Sequence, residues 1–214
     1  MAIEVWDGEQ NSEDWKLARC GIVTASQMKT VLANGKGGGE SITRRKYLYT
    51  LAGEIITGEP SESFSNRNME RGHEMEGEAR NFYAFMKDIE PERVGFIRNG
   101  RKGASPDSLL GTDGLLEIKT AIPSVLIELL IKDQFPPEHK AQTQGQLMVA
   151  EREWVDICCY WPGMPPLIKR AARDEKYISE LSRAVSIFNE ELDELVSRIR
   201  SYGGHDPIGE EAAA

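Results

Sequence analysis

Apolar positions recur along this chain with two periods, and the changes from one period to the other predict its elements. The longest run of the helical period lies within 174–202, where Ile178, Leu181, Val185, Phe188, Leu192, Leu195 and Ile199 follow at steps of three and four. That spacing predicts a long carboxy-terminal helix with a heptad-like seam, packed either on its own domain or against another subunit. A second stripe, Met69, Gly72, Met75, Ala79, Phe82, Tyr83 and Met86, predicts a helix over about 66–87. Glu76 falls in this stripe, where a carboxylate is costly unless it is paired, holds a metal or snorkels to water.

Alternation with period two marks a strand over 154–161, with Val155, Ile157, Cys159 and Trp161 on one face. Further strands are expected near 93–98, 103–105 and 115–120. A short helix over 12–18 carries Trp15, and Ser41 to Thr57 forms a helix closed by Gly58 and Pro60. Thr24 followed by Gln27 reads as a capping box opening a helix to about Leu32. A helix start there gathers hydroxyls and free amides, with Arg19 just ahead, and so favours an anion; ordinary capping is the alternative. After Ser124 a helix carries Val125, Leu126, Leu129 and Leu130, and Pro136-Pro137 separates it from another over about 138–149. On the latter, Gln142 shares a face with Gly145, Gln146 and Val149, pointing into a cleft or lying on the surface. The order of helices, mixed central sheet and helices predicts an α/β (α+β) fold in one domain over 1–202, and 203–214 reads as a disordered tail.

Composition narrows the function without naming it. With 214 residues, 40% hydrophobic, the chain suits one domain with a sizeable core. It has no apolar run long enough to span a bilayer, and an acidic amino terminus unlike a signal peptide, so a cytoplasmic location is expected. Three cysteines give neither a disulfide framework nor a zinc spacing and are expected to be reduced core thiols. The glycine-rich loop at 34–39 lacks the lysine and hydroxyl spacing of a phosphate-binding loop. A net charge of −9 argues against nonspecific coating of nucleic acid, yet allows basic residues confined to one groove. Arg44, Arg45, Lys46, Arg98, Arg101 and Lys102 are the candidates for it.

The candidate chemistry lies in Ser105-Pro106-Asp107 and, ten residues after the aspartate, Glu117-Ile118-Lys119. On a strand, Glu117 and Lys119 project from one face while Ile118 packs behind. Asp107 and Glu117, with the Ile118 carbonyl, supply the hard oxygens that Mg²⁺ takes, and Lys119 is placed to position or deprotonate a water, a set suited to phosphodiester cleavage. A plain alternative is a hairpin turning at 111–114, with Asp107 exposed and Glu117 and Lys119 forming a surface ion pair.

Several ordered motifs together resemble the lambda-exonuclease and YqaJ-type viral recombinase family, within the restriction-endonuclease-like superfamily. They are Trp15 to Ser26 with Arg19, Gly21 and Thr24; Gly72 to Arg80 around Glu76; the Asp107 to Lys119 cluster; Ala141 to Gln144; and Arg173 to Tyr177. The resemblance implies a restriction-endonuclease-like central mixed sheet flanked by helices. It assigns Asp107, Glu117, Lys119, Glu76 and Gln142 to catalysis and Arg19, Thr24 and Ser26 to a 5′-terminal phosphate. It further implies a Mg²⁺-dependent (or Mn²⁺-dependent) 5′-to-3′ exonuclease on linear double-stranded DNA, leaving a 3′ overhang. A ring-shaped homotrimer, a single-strand annealing partner and a phage or prophage origin in a bacterial host go with it. A structure- or site-specific endonuclease and a silent DNA-end-binding adaptor are the competing functions. The chain departs from the lambda pattern in a shorter connection between Lys119 and Gln142 and in Ser108 after the aspartate.

Overall fold

The structure is a computed structural model that describes residues 2–35, 37, 39, 41–61 and 67–202; within 67–74 only the backbone and Arg71 are described. The glycine-rich loop lies partly, and the expected tail wholly, outside the described residues. The elements in chain order are β1 (Glu4–Trp6), α1 (Glu13–Arg19), β2 (Val23–Thr24), α2 (Met28–Val31), α3 (Ile42–Thr57), α4 (Arg67–Lys87), β3 (Phe96–Asn99) and β4 (Lys102–Ala104). They continue with β5 (Ser108–Leu110), β6 (Gly114–Thr120), α5 (Pro123–Lys132), α6 (Lys140–Ala150), β7 (Trp154–Tyr160), β8 (Leu167–Ala172) and α7 (Glu175–Arg200). This is the expected mixed α/β class with its long last helix. The strands form two four-stranded mixed sheets, ordered β1-β3-β4-β2 and β5-β6-β7-β8.

Local chemistry explains most boundaries. Ser12, Ser41 and Asp174 cap α1, α3 and α7, each accepting from the backbone N–H three residues on. Gly58 ends α3 in the left-handed conformation at φ 72°, which costs glycine little. The capping box expected at Thr24 does not form. Thr24 Oγ1 instead pairs with Ser26 Oγ at 3.2 Å, and residues 25–27 make a 3₁₀ turn before the single turn of α2.

In the second sheet β6 and β7 run parallel, with α5 and α6 in the crossover between them, while β5 and β8 pair antiparallel at the edges. Strand alternation then divides the core. Leu115 and Val155 pack with α2, α3, α6 and α7, whereas Leu116, Ile118 and Cys158 pack on Ala79 and Tyr83 of α4. The α4 stripe is narrower than expected, because Phe82 and Met86 are exposed. The α7 seam packs on its own domain through Ile178, Leu181, Val185, Phe188, Leu192 and Val196. Val196 replaces the expected Ile199 because a straight helix drifts off a seven-residue repeat.

Gly145 lets α6 approach the turn before α2 unusually closely. A Cβ there would stand 2.7 Å from Met28 Cγ and 3.4 Å from Ala25 Cβ. The close approach brings the polar face of α6 against the residues that follow Arg19. Among the described residues no helix is long and apolar enough to cross a membrane.

Candidate active site

Strand β6 carries the centre of the site. Glu117 faces α6 and is 3% exposed, and both of its oxygens are engaged. Oε1 accepts from Gln142 Nε2 at 2.5 Å and Lys119 Nζ at 2.6 Å, while Oε2 accepts from Gln146 Nε2 at 2.5 Å. The two glutamines are one helical turn apart, so a single face of α6 grips the carboxylate. The expected projection of Glu117 and Lys119 from one face is therefore present.

Asp107 stands at the entry to β5, opposite Glu117 on the hairpin. Its N–H donates to Leu116 O at 3.1 Å, and its Oδ2 accepts from the Ile118 N–H at 2.5 Å. The hairpin turning near 111–114 is real, and so is the Glu117–Lys119 ion pair, but the pair is buried at its acidic end. Both readings of the segment thus describe the same strands, and burial separates them.

Glu76 enters from α4. Arg80, one turn further along, bonds Glu76 Oε1, donates through Nε to Ser108 Oγ at 2.9 Å and through Nη2 to Asp107 O at 3.2 Å. Arg80 was part of a sequence motif without a role; its position four residues after Glu76 is the signal that pairs them.

Charge is crowded here. Burial, and then the neighbouring carboxylates of Glu117 and Glu76, hold the Asp107 carboxyl well above the usual range, against the Ile118 N–H and Lys119. For Lys119, burial opposes the charge, but attraction to Glu117 and Asp107 outweighs it and raises its pKa. A cluster of carboxylate oxygens with excess negative charge is the donor chemistry that hard divalent cations take, so the residues fit Mg²⁺ or Mn²⁺. Among the described residues no three carboxylate, imidazole or thiol side chains already converge on one point, and Glu117 is held instead by Lys119 and two amides. His139, at the start of α6, is held below its ordinary pKa by burial and by Lys119.

Two cavities meet this centre. One, of about 510 Å³, is lined by Asp7, Glu9, Glu76, Arg80, Arg93 and Asp107. The other, of about 150 Å³, is lined by Trp15, Arg19, Thr24, Ser26, Ser105, Gln142 and Gln146, among others. The smaller is large enough to hold several water molecules. Gln10 borders both, donating to Val94 O at 2.8 Å and Pro106 O at 3.2 Å.

In the smaller cavity Arg19 lies 3.8 Å over the Trp15 ring. Among the described residues no hydrogen bond or ion pair holds its guanidinium; burial lowers its pKa to about 10, with Tyr47 and Glu54 acting the other way. It remains a partly desolvated cation at neutral pH. Trp15 Nε1 donates to Gly95 O at 3.0 Å and Ser105 Oγ at 3.1 Å, tying this wall to the loop that bears Asp107. Sequence reasoning named Trp15 in a motif but gave it no place in the site.

The candidate groove residues do not gather here. Arg44 makes a paired contact with Glu191 of α7, Arg101 pairs with Asp193, and Lys102 and Arg98 bond backbone carbonyls near the β3–β4 turn.

A family model described as the YqaJ-like viral recombinase domain matches residues 14–153. The chain is similar to a crystal structure of an alkaline exonuclease from Laribacter hongkongensis, with a TM-score of 0.79 and 30% identity over 88% of this chain and 96% of that one. A structure of the same enzyme in complex with dAMP gives a TM-score of 0.80 and 32% identity at the same coverage. A phage-related exonuclease from Haemophilus somnus shares the fold at a TM-score of 0.66 and 15% identity, over 83% of this chain and 96% of that one. No curated protein matches the chain.

Proposed function

Because the chain belongs to the YqaJ-like viral recombinase family, we propose that it is a Mg²⁺-dependent exonuclease, with Mn²⁺ able to substitute. In this reading it digests one strand of linear double-stranded DNA from the 5′ end and leaves a 3′ single-stranded overhang for recombination by strand annealing. One observation carries it: a crowded carboxylate centre at Asp107 and Glu117 adjoins a cavity holding the Arg19 cation, which no hydrogen bond or ion pair engages among the described residues. The exonuclease activity of the Laribacter hongkongensis relative, at 30–32% identity, supports the same reading.

Asp107, Glu117 and the Ile118 carbonyl would hold the metal, which when bound would supply a Lewis acid for the scissile phosphate and lower the pKa of a water. Lys119 is an ammonium whose charge its acidic neighbours stabilise, so it donates to that water and orients it. Gln142 holds Glu117, and Glu76, fixed by Arg80, borders the larger cavity beside Asp107. Arg19, backed by Trp15, takes the 5′-terminal phosphate through charge-assisted hydrogen bonds, with Thr24 and Ser26 adding hydroxyls. The resemblance adds a homotrimeric ring threaded by the duplex, a single-strand annealing partner, and action in the cytoplasm of a bacterial host.

Lys119→Ala tests the chemistry. It is expected to keep the circular dichroism spectrum and the binding of duplex ends, yet to lower Mg²⁺-dependent digestion of 5′-phosphorylated duplex by at least about 100-fold, the lower end for loss of a proton-handling or orienting group. Undiminished digestion would remove Lys119 from the reaction and the reading with it.

A further inference from the structure

Gln146 was no more than a neighbour of Gln142 on the helix face. Its side chain is 1% exposed and donates through Nε2 to Glu117 Oε2 at 2.5 Å, while its Oε1 is buried with no hydrogen-bond partner among the described residues. An unpaired buried carbonyl costs stability that an apolar side chain of the same shape would not, so packing does not account for a glutamine here. The same residue lines the small cavity with Arg19, Thr24 and Ser26. Gln146 therefore touches the central carboxylate and also bounds the small cavity that holds Arg19.

We infer that Gln146 is a positioning residue through which a phosphate in the Arg19 cavity sets Glu117 for its cation, coupling end recognition to metal binding. This rests on the exonuclease reading above. The amide cannot turn over without facing its oxygen to the carboxylate, so its orientation is fixed by Glu117. A phosphate on Arg19 orders water in the cavity, and a small shift of the side chains that cover Oε1 admits one of these waters and gives the oxygen the donor it lacks. The amide, bonded at both ends, then holds Glu117 Oε2 in place and leaves Oε1 to exchange Lys119 and Gln142 for the metal. Any such coupling must act equally in both directions.

The test is calorimetric titration of Mg²⁺ into the protein carrying a duplex whose 5′-terminal linkages are phosphorothioates that resist cleavage, with either a 5′ phosphate or a 5′ hydroxyl. The unmodified protein is expected to bind Mg²⁺ several-fold more tightly with the phosphorylated duplex. Gln146→Met is expected to weaken Mg²⁺ binding roughly tenfold, as outer partners of metal ligands do, and to bring the ratio between the two duplexes to one. Arg19→Met should also erase the ratio while leaving Mg²⁺ binding to the DNA-free protein unchanged. A merely structural role for Gln146 would lower the melting temperature and weaken Mg²⁺ with both duplexes alike, keeping their ratio. A ratio of one in the unmodified protein, or a ratio that survives Gln146→Met, overturns the inference. If the unmodified protein still digests 5′-phosphorylated duplex in Mg²⁺, the exonuclease reading survives that result; if it does not, both fall.

Discussion

Asp107 sets the pH behaviour of the site. Its folded-state pKa is raised by burial and by Glu117 and Glu76, so between the ordinary aspartate value and that raised value the folded protein binds a proton that the unfolded chain has released. Stability of the metal-free protein should therefore fall as pH rises through this window, from about pH 4 upward, by up to about 1.4 kcal/mol per pH unit. For a domain of this size that is roughly 3–6 °C per unit in melting temperature. Asp107→Asn should flatten this slope, and Mg²⁺ should stabilise most above the window, where the ligand is ionised. Thermal melts in chelator and in Mg²⁺ across the range check it, and an unchanged slope in Asp107→Asn would assign the dependence to another group. At this scale the sequence disclosed Asp107, Glu117 and Lys119, because strand period alone puts two of them on one face. It gave Gln146 and Arg80 a place on a helix face and in a motif but no role, since what a glutamine or arginine on a helix bonds is decided only when a partner strand is placed beneath it.

At the scale of elements, the helix α6 sets how the two halves of the site meet. Gly145 permits its contact with Ala25 and Met28, and that contact places Gln142 and Gln146 against both Glu117 and the Arg19 cavity. Gly145→Val would force a Cβ to 2.7 Å from Met28 Cγ. We expect it to cost about 1–3 kcal/mol by overpacking and to reduce digestion as well, because the glutamines move with the helix. Urea unfolding together with initial rates checks this; unchanged stability would mean that Met28 yields freely. Helices with side-chain caps or long apolar stripes, α1, α3, α4 and α7, were legible from the chain. The short strands β1, β2 and β8 were not, since two to six residues with mixed polarity acquire their identity from pairing, and β5 was legible only as one arm of the alternative hairpin. The Thr24 box misled because Ser26 offered the threonine hydroxyl a nearer partner than the backbone.

Across the whole molecule, an acidic protein with net charge −9 is proposed to grip a polyanion. Arg44 and Arg101, which composition offered as groove residues, are committed to α7, and in the proposed reaction the cation that meets the DNA end is Arg19. In the proposed exonuclease, specificity would come from the end rather than from length of contact, and in the proposed ring the duplex would be retained by topology as much as by charge. The most direct measurement is the time course of products from linear duplex labelled at the 5′ or the 3′ end, run beside a covalently closed circle, with and without Mg²⁺. The expected result is early release of the 5′ label as mononucleotide, late loss of the 3′ label, an intact circle, and no reaction without the ion. Early release from the 3′ end, cutting of the circle, or digestion in chelator would contradict a metal-dependent exonuclease that starts at the 5′ end.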